Sequence, residues 1–268
     1  MSLKSLILAY LPAPVLEAIR RIHYLRALRR SYEEQEQDLI VVKLLARPGS
    51  CVLDVGANIG VYTKVLSQAA GPEGLVISLE PIPDTFNILS YCVKKLGLSN
   101  VRAINCALSD KNGMMSMSVP RYEKGGNYNY YQAKLVVEGA KDSTSAKQTS
   151  VHEYHNITVR TLDDLLKEIS SPVAFIKCDV EGHEFAVLVG SRMVIERWFP
   201  AWLIEVSGDP DVEGSSAAKL FDLLCQAGYE AWIFSGGLLR RRVHGDKWLN
   251  YFFLKKSHLA LVESFIMK

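Results

Sequence analysis

The residues that could do chemistry begin with a strand-like apolar run, Cys51-Val52-Leu53, that ends on Asp54 and passes through Val55-Gly56-Ala57-Asn58-Ile59-Gly60 into a helical pattern. The reading is strand, tight turn, helix. Gly56 and Gly60 give the turn backbone freedom and let a ligand approach the main chain. The helix points its free N–H groups and positive dipole end into the same turn, which suits a carboxylate or another anion. A second apolar run, Leu75 to Leu79, ends on Glu80-Pro81. A carboxylate at that place in a doubly wound fold can accept both hydroxyls of a ribose. The spacing D-V-G-A-N-I-G differs from the G-x-G-x-x-G of dinucleotide sites. An acid at the first strand's tip can hold an ammonium and favours a nearby sulfonium. S-adenosylmethionine has a sulfonium, an ammonium, a carboxylate and a ribose, and it fits these residues better than NAD does.

Longer blocks carry a resemblance. Asp54-Val55-Gly56-Ala57-Asn58-Ile59-Gly60-Val61-Tyr62-Thr63, Glu80-Pro81, Asn105-Cys106-Ala107-Leu108-Ser109-Asp110, Val159-Arg160-Thr161-Leu162-Asp163-Asp164 and Ile176-Lys177-Cys178-Asp179-Val180-Glu181-Gly182-His183-Glu184 resemble FkbM-type methyltransferases. The resemblance runs from about Pro48 to Leu254, and Lys-x-Asp-Val-Glu-Gly-x-Glu is its most specific block. It implies an α/β class I (Rossmann-like) methyltransferase fold: a mostly parallel seven-stranded sheet, helices on both faces and an antiparallel last strand. It also implies methyl transfer from S-adenosyl-L-methionine, leaving S-adenosyl-L-homocysteine, usually to a hydroxyl. On this reading the cofactor site holds Asp54, Gly56, Ala57, Asn58, Gly60, Tyr62, Glu80, Pro81, Ala107 and Asp179. Asn58 stands where the commoner class I pattern has a glycine.

Methylating a hydroxyl requires alignment of the acceptor oxygen and removal of its proton as the new bond forms. Ligands in such sheets bind beyond the carboxyl ends of the strands, where Asp54, Glu80, Asp179 and Glu205 all fall. Asp179 and His183 are the first candidates for the base, Glu205 the third, with Glu181 in the same loop. The alternatives are structural: Asp179 and Glu181 as caps of the next helix, Glu184 as its anchor or a partner of Lys177, and Glu205 as an acceptor for loop amides. Two carboxylates from adjacent strand tips could also hold Mg²⁺. The Asp-Asn pair that would favour this is absent after the fifth strand, which reads Glu205-Val206-Ser207, so no metal is assigned. A nucleotide-linked oxidoreductase and a non-catalytic binding module are the competing classes.

The elements that must position these groups alternate strand and helix, which implies a parallel sheet. Helices are expected over Asp84 to Leu96, Leu162 to Ile169, Glu184 to Trp198 and Ser215 to Ala227. Strands are expected over Val101 to Cys106, Ile157 to Arg160, Val173 to Cys178, Ala201 to Val206, Tyr229 to Phe234 and Asn250 to Leu254. Gly113 to Val119 reads as a short edge strand. Arg121 to Asn156 breaks the pattern with Gly125-Gly126, the aromatic cluster Tyr122, Tyr128, Tyr130 and Tyr131, and the polar run Lys141 to Ser150. It suits a lid over the acceptor, or else a surface insertion. The expected division is an N-terminal helical cap over 1–47 and a cofactor-binding domain over 48–268, with the insertion at 120–156. Within the cap, Val15 to Arg30 mixes arginines with apolar residues, either a membrane-contacting surface or a solvated basic face. Glu33, Glu34, Glu36 and Asp38 open a helix through Leu45.

The chain has 268 residues, 49% of them apolar and 22% charged, with net charge +2. That suits a globular fold and leaves no whole-chain nucleic-acid footprint. Leu3 to Leu11 is far shorter than the ~20 residues a membrane span needs. Five cysteines without metal spacing point to a reduced, cytoplasmic protein.

Overall fold

The computed structural model describes residues 12–30, 37–122, 134–135, 150–169 and 171–267. Helices α1 (Ala13–Arg29) and α2 (Leu39–Leu45) come first. They are followed by β1 (Cys51–Val55), α3 (Val61–Ala70), β2 (Leu75–Leu79), α4 (Pro83–Leu96) and β3 (Val101–Ile104). A second group of strands follows: β4 (Ala107–Leu108), β5 (Gly113–Tyr122), β6 (Lys134–Leu135) and β7 (Ser150–Arg160). The chain then gives α5 (Leu162–Leu165), a 3₁₀ turn over Leu166–Glu168, β8 (Val173–Cys178), α6 (Glu184–Val189), α7 (Arg192–Trp198) and β9 (Ala201–Glu205). It closes with α8 (Ser216–Gln226), β10 (Glu230–Ser235), β11 (Leu238–Arg241), β12 (Asn250–Leu254) and α9 (Lys256–Leu259).

The main sheet runs β11-β10-β12-β9-β8-β1-β2-β3. Its pairs β8–β1, β1–β2, β2–β3 and β8–β9 are parallel, whereas β12 is antiparallel to both β9 and β10. This is the doubly wound order with an antiparallel last strand that the resemblance implies. It has one strand more than the seven expected. Gly236 and Gly237, both at positive φ (58° and 82°), make a two-residue turn that pairs Ser235 with Leu238. A turn of that kind requires left-handed backbone at both positions and folds β11 back on β10.

Both faces of the sheet are covered, so its strands are apolar almost throughout. Val52, Val76, Phe175, Leu203 and Phe252 face a core completed by Val41, Val42 and Leu45 of α2. Leu53, Ile77, Ile176, Trp202 and Tyr251 face the other, with Val187, Ile195 and Leu220. Pro83 opens α4 and Gly97, left-handed, closes it, as the asymmetry of helix ends favours. Ser215 caps α8 by accepting from the Ala218 amide at 3.0 Å. On α1, Leu25 and Leu28 pack with Ile88 and Cys92 of α4, and Lys64 Nζ donates to the Leu28 carbonyl at 2.9 Å. Asp38 stands at the start of α2; Glu33, Glu34 and Glu36 lie outside the described residues. Four of the five cysteines are buried and Cys225 is exposed.

Two expectations need correction. The stretch from Glu184 to Trp198 is two helices. Gly190 stands at the break, where a Cβ would sit 2.1 Å from the Ser109 carbonyl oxygen, and Asp163 caps the second helix by accepting from the amides of Met193 and Val194, both at 3.0 Å. The run from Gly113 is no short edge strand: β5 pairs with β7 along ten positions and with β6 on its other side. Met117 and Val119 give β5 a buried face against Ile82, Ala107, Ile157 and Val159. Much of the expected insertion, 123–133 and 136–149, lies outside the described residues, and 150–156 is strand.

At the joint of β1 and β8, Asp54 lies opposite Lys177. Lys177 is 3.1 Å from Asp179 Oδ2 and 3.3 Å from the Gly56 carbonyl, with its ammonium 5.1 Å from the centre of the Tyr62 ring. Burial pulls its pKa down, but Asp179 and Asp54 outweigh it and hold the group above its ordinary value. Asp54 is fully buried and accepts from Thr63 Oγ1 at 2.6 Å. Burial raises its pKa against the pull of Lys177 and Thr63. Removing one partner of a buried charge set leaves the others uncompensated. Lys177→Met should therefore lose roughly 3–5 kcal/mol in urea unfolding. A loss below about 1 kcal/mol, the scale of an exposed pair, would contradict this account.

Candidate active site

A cleft opens beyond the carboxyl ends of β1, β2 and β8, where the order of the sheet reverses and ligands of such folds bind. From the first turn it is lined by Val55, Gly56 and Asn58, and from the second by Leu79, Glu80, Pro81 and Ile82. Cys106, Ala107, Leu108, Met117 and Leu135 form the wall built on the small sheet, and Asp179, Val180 and Glu181 the third side.

The first turn is shaped by the protein's own contacts. Gly56 and Ala57 donate their N–H groups to the Leu79 carbonyl, Gly60 donates to the Ala57 carbonyl, and Asn58 N–H donates to Glu80 Oε2 at 2.9 Å. These four amides are therefore committed within the protein. Gly56 is needed for another reason: at φ 77° a Cβ would lie 1.8 Å from the Asp179 carbonyl oxygen. The loop after β8 rests directly on the turn after β1.

Glu80 takes N–H bonds from Asn58 on one oxygen and from Ile82, at 3.0 Å, on the other. A carboxylate offers about four acceptor sites, so two bonds leave capacity for a pair of ribose hydroxyls. Burial pushes the pKa of Glu80 up to about 7, against the two amide bonds. Asp54 Oδ1 is buried with no hydrogen-bond partner among the described residues. An orphaned carboxylate oxygen beneath the floor and an acceptor with spare capacity at the wall fit a ligand that is cationic at one end and a ribose at the other. Of the expected cofactor residues, Gly56, Asn58, Glu80, Pro81, Ala107 and Asp179 line the cleft; Asp54, Ala57, Gly60 and Tyr62 do not.

The loop after β8 is held in an unusual shape. Glu181 (φ 54°) and Gly182 (φ 96°) are both left-handed, a costly conformation for glutamate that such sites store when the surroundings enforce it. Glu184 Oε1 enforces it by accepting from the amides of Val180 and Gly182, at 3.3 and 2.9 Å. Glu184 thus anchors the loop, and the partner of Lys177 is Asp179.

Asp179, Glu181 and Glu205 each bring a carboxylate oxygen within 4.8 Å of the other two. Burial, then the charges of Asp179 and Glu181, push the pKa of half-buried Glu205 up to about 7. His183 goes elsewhere. It stands at the start of α6 without a side-chain cap, its Nε2 is 2.9 Å from Ser109 Oγ, and burial pulls its pKa down. The wall residues Met117 and Leu135 were not among the candidates. The alternating apolar residues Met115, Met117 and Val119 carried a signal for the first, and the short apolar run Leu135-Val136-Val137 carried one for the second.

The family model described as the Methyltransferase FkbM domain matches residues 54–231. Among curated relatives, Methyltransferase 1 of Beauveria bassiana is 27% identical over 145 residues, 53% of this chain and 58% of that protein. The Hexuronic acid methyltransferase AglP of Haloferax volcanii is 28% identical over 186 residues, 67% of this chain and 64% of that one. The chain thus spans about three-fifths of the length of these relatives. A solved FkbM methyltransferase from Methylobacillus flagellatus is 19% identical, with a TM-score of 0.46, covering 77% of this chain and 44% of that one. The cleft, the sheet order and the match over most of the core agree, and the chain belongs to the FkbM methyltransferase domain family.

Proposed function

We propose that this chain methylates a hydroxyl of a sugar, glycan or natural product, with S-adenosylmethionine in the cleft and the acceptor entering over Asp179, Glu181 and Glu205. The observation that carries the reading is the three-carboxylate cluster at the mouth, with Glu205 poised near pH 7. When bound, S-adenosylmethionine supplies an electrophilic methyl group. Glu80 holds the ribose hydroxyls, Gly56 and Asn58 shape the floor, and Met117 and Leu135 cover the apolar wall.

A base is most useful when its pKa lies near the working pH. Glu205 meets that condition, so it takes the proton that the acceptor hydroxyl loses as its oxygen becomes an ether. Asp179 is held by Lys177 and positions the acceptor, with Glu181 beside it. His183 is left to bond Ser109. The relative named for hexuronic acid supports a sugar-class acceptor. Three clustered carboxylates would repel a uronate, so a neutral sugar hydroxyl suits this mouth best.

Two experiments test the assignment. In calorimetry, Glu80→Ala should weaken S-adenosylmethionine binding by about 1–3 kcal/mol, the scale of a lost charged acceptor; unchanged affinity removes Glu80 from the ribose. With a panel of neutral and acidic glycosides, Glu205→Gln should lower turnover at least ~10²-fold with cofactor affinity intact. Wild-type turnover should rise with pH through about 7, as Glu205 loses its proton. Activity abolished by a chelator and restored by Mg²⁺ would instead make the cluster a metal site.

The same shift predicts a stability effect. Glu205 has a folded pKa of about 7, above its unfolded ~4.3, so the folded state favours the protonated form. The stability this contributes is present below the unfolded value and lost as pH rises through the folded one. Glu205→Gln should therefore be more stable than wild type at pH 8, by on the order of 1–2 kcal/mol after allowing for solvent screening. The gap should close near pH 4. A variant less stable at pH 8 would contradict the shift.

A further inference from the structure

The outward side of α1 does not line the cleft. At 3.6 residues per turn, Val15, Ile19 and Ile22 fall on one arc of the helix with His23, Arg26 and Arg29. The three aliphatic side chains are 43%, 42% and 45% exposed, and His23, Arg26 and Arg29 are exposed too. The helix has one carboxylate, Glu17, which pairs with Arg21 on a different side. Arg21 also lies over the Tyr91 ring of α4, 5.8 Å from its centre. The inward side is fixed by Leu25 and Leu28 against Ile88 and Cys92. The helix therefore cannot roll to hide its outer residues without giving up that packing.

We infer that this arc of α1 docks on an anionic lipid surface. An exposed arc that carries aliphatic side chains and arginines side by side, with no acid among them, offers both apolar contact and positive charge to an anionic bilayer interface. The aliphatics enter the boundary between headgroups and acyl chains while the arginines meet lipid phosphates. A nucleic acid would complement the arginines but leave the three aliphatic residues in water. No described helix is long and apolar enough to cross a membrane, so α1 lies on the surface. The attachment would bring the enzyme to acceptors carried at that surface.

Sedimentation with phosphatidylcholine vesicles, with and without phosphatidylserine, tests the inference on the whole chain. Wild type should bind the phosphatidylserine vesicles, less at high salt, and bind pure phosphatidylcholine far more weakly. Arg26→Gln with Arg29→Gln should weaken binding about 30-fold, at ~1 kcal/mol per arginine. Ile19→Ser with Ile22→Ser, both at exposed positions, should weaken it at least about tenfold while the thermal melt stays unchanged. Absence of binding to phosphatidylserine vesicles overturns the inference, and so does equal binding to both vesicle types. Full binding by the serine variant overturns it as well, and would point to an acidic macromolecule held by charge alone.

Discussion

The Lys177 ammonium is buried beneath the loop that joins β8 to α6, and a charge in such a place has to be matched by fixed partners. Its partners come from three directions. Asp54 faces it across the β1–β8 pair, Asp179 ends β8 above it, and the Gly56 carbonyl closes the side toward the first turn. Because the same ammonium bonds both Asp179 and the Gly56 carbonyl, the loop after β8 and the first turn are tied together. The absent side chain at Gly56 lets them touch. The floor of the cleft and the carboxylates at its mouth are thereby set in one frame, which is the precondition for holding an acceptor oxygen in line.

The next layer depends on that frame. With Asp179 tied to Lys177 and Glu184 holding the amides of Val180 and Gly182, Glu181 is kept left-handed and close to Asp179 and Glu205. Burial first, and then the neighbouring charges of Asp179 and Glu181, raise the pKa of Glu205 against the weaker pull of Lys177, whose hydrogen-bonded carboxylate is that of Asp179. The stacked carboxylates therefore divide their roles by environment: Asp179 is paired and fixed, Glu205 is crowded and near neutrality.

The strands of the main sheet were legible because parallel strands covered on both faces leave continuous apolar runs, each ending on a turn or an acid; the antiparallel last strand was implied only by the family resemblance. The identity of Glu80 as a cleft residue was legible for the same reason, since position at a strand's end determines which edge a side chain reaches. Other features were hidden in contacts between distant segments. At the split of Glu184 to Trp198, the need for glycine at 190 comes from the Ser109 carbonyl and the cap of the second helix from Asp163, both far away in sequence. The length of β5 depends on β7, whose polar sequence His152-Glu153-Tyr154-His155 reads as loop until its partner is known. His183 stood beside Asp179 in sequence, yet the left-handed turn at Glu181 and Gly182 sends it toward Ser109. Local patterns cannot report such a change of direction.

The central claim is that the cleft between the first turn and the small sheet is made for S-adenosylmethionine. Equilibrium titration of the wild-type chain with S-adenosylmethionine and, separately, with NADH tests it without any knowledge of the acceptor. The account predicts saturable binding of one S-adenosylmethionine per chain, competed by S-adenosylhomocysteine, and no binding of NADH in the same range. Saturable NADH binding with none of S-adenosylmethionine would contradict it.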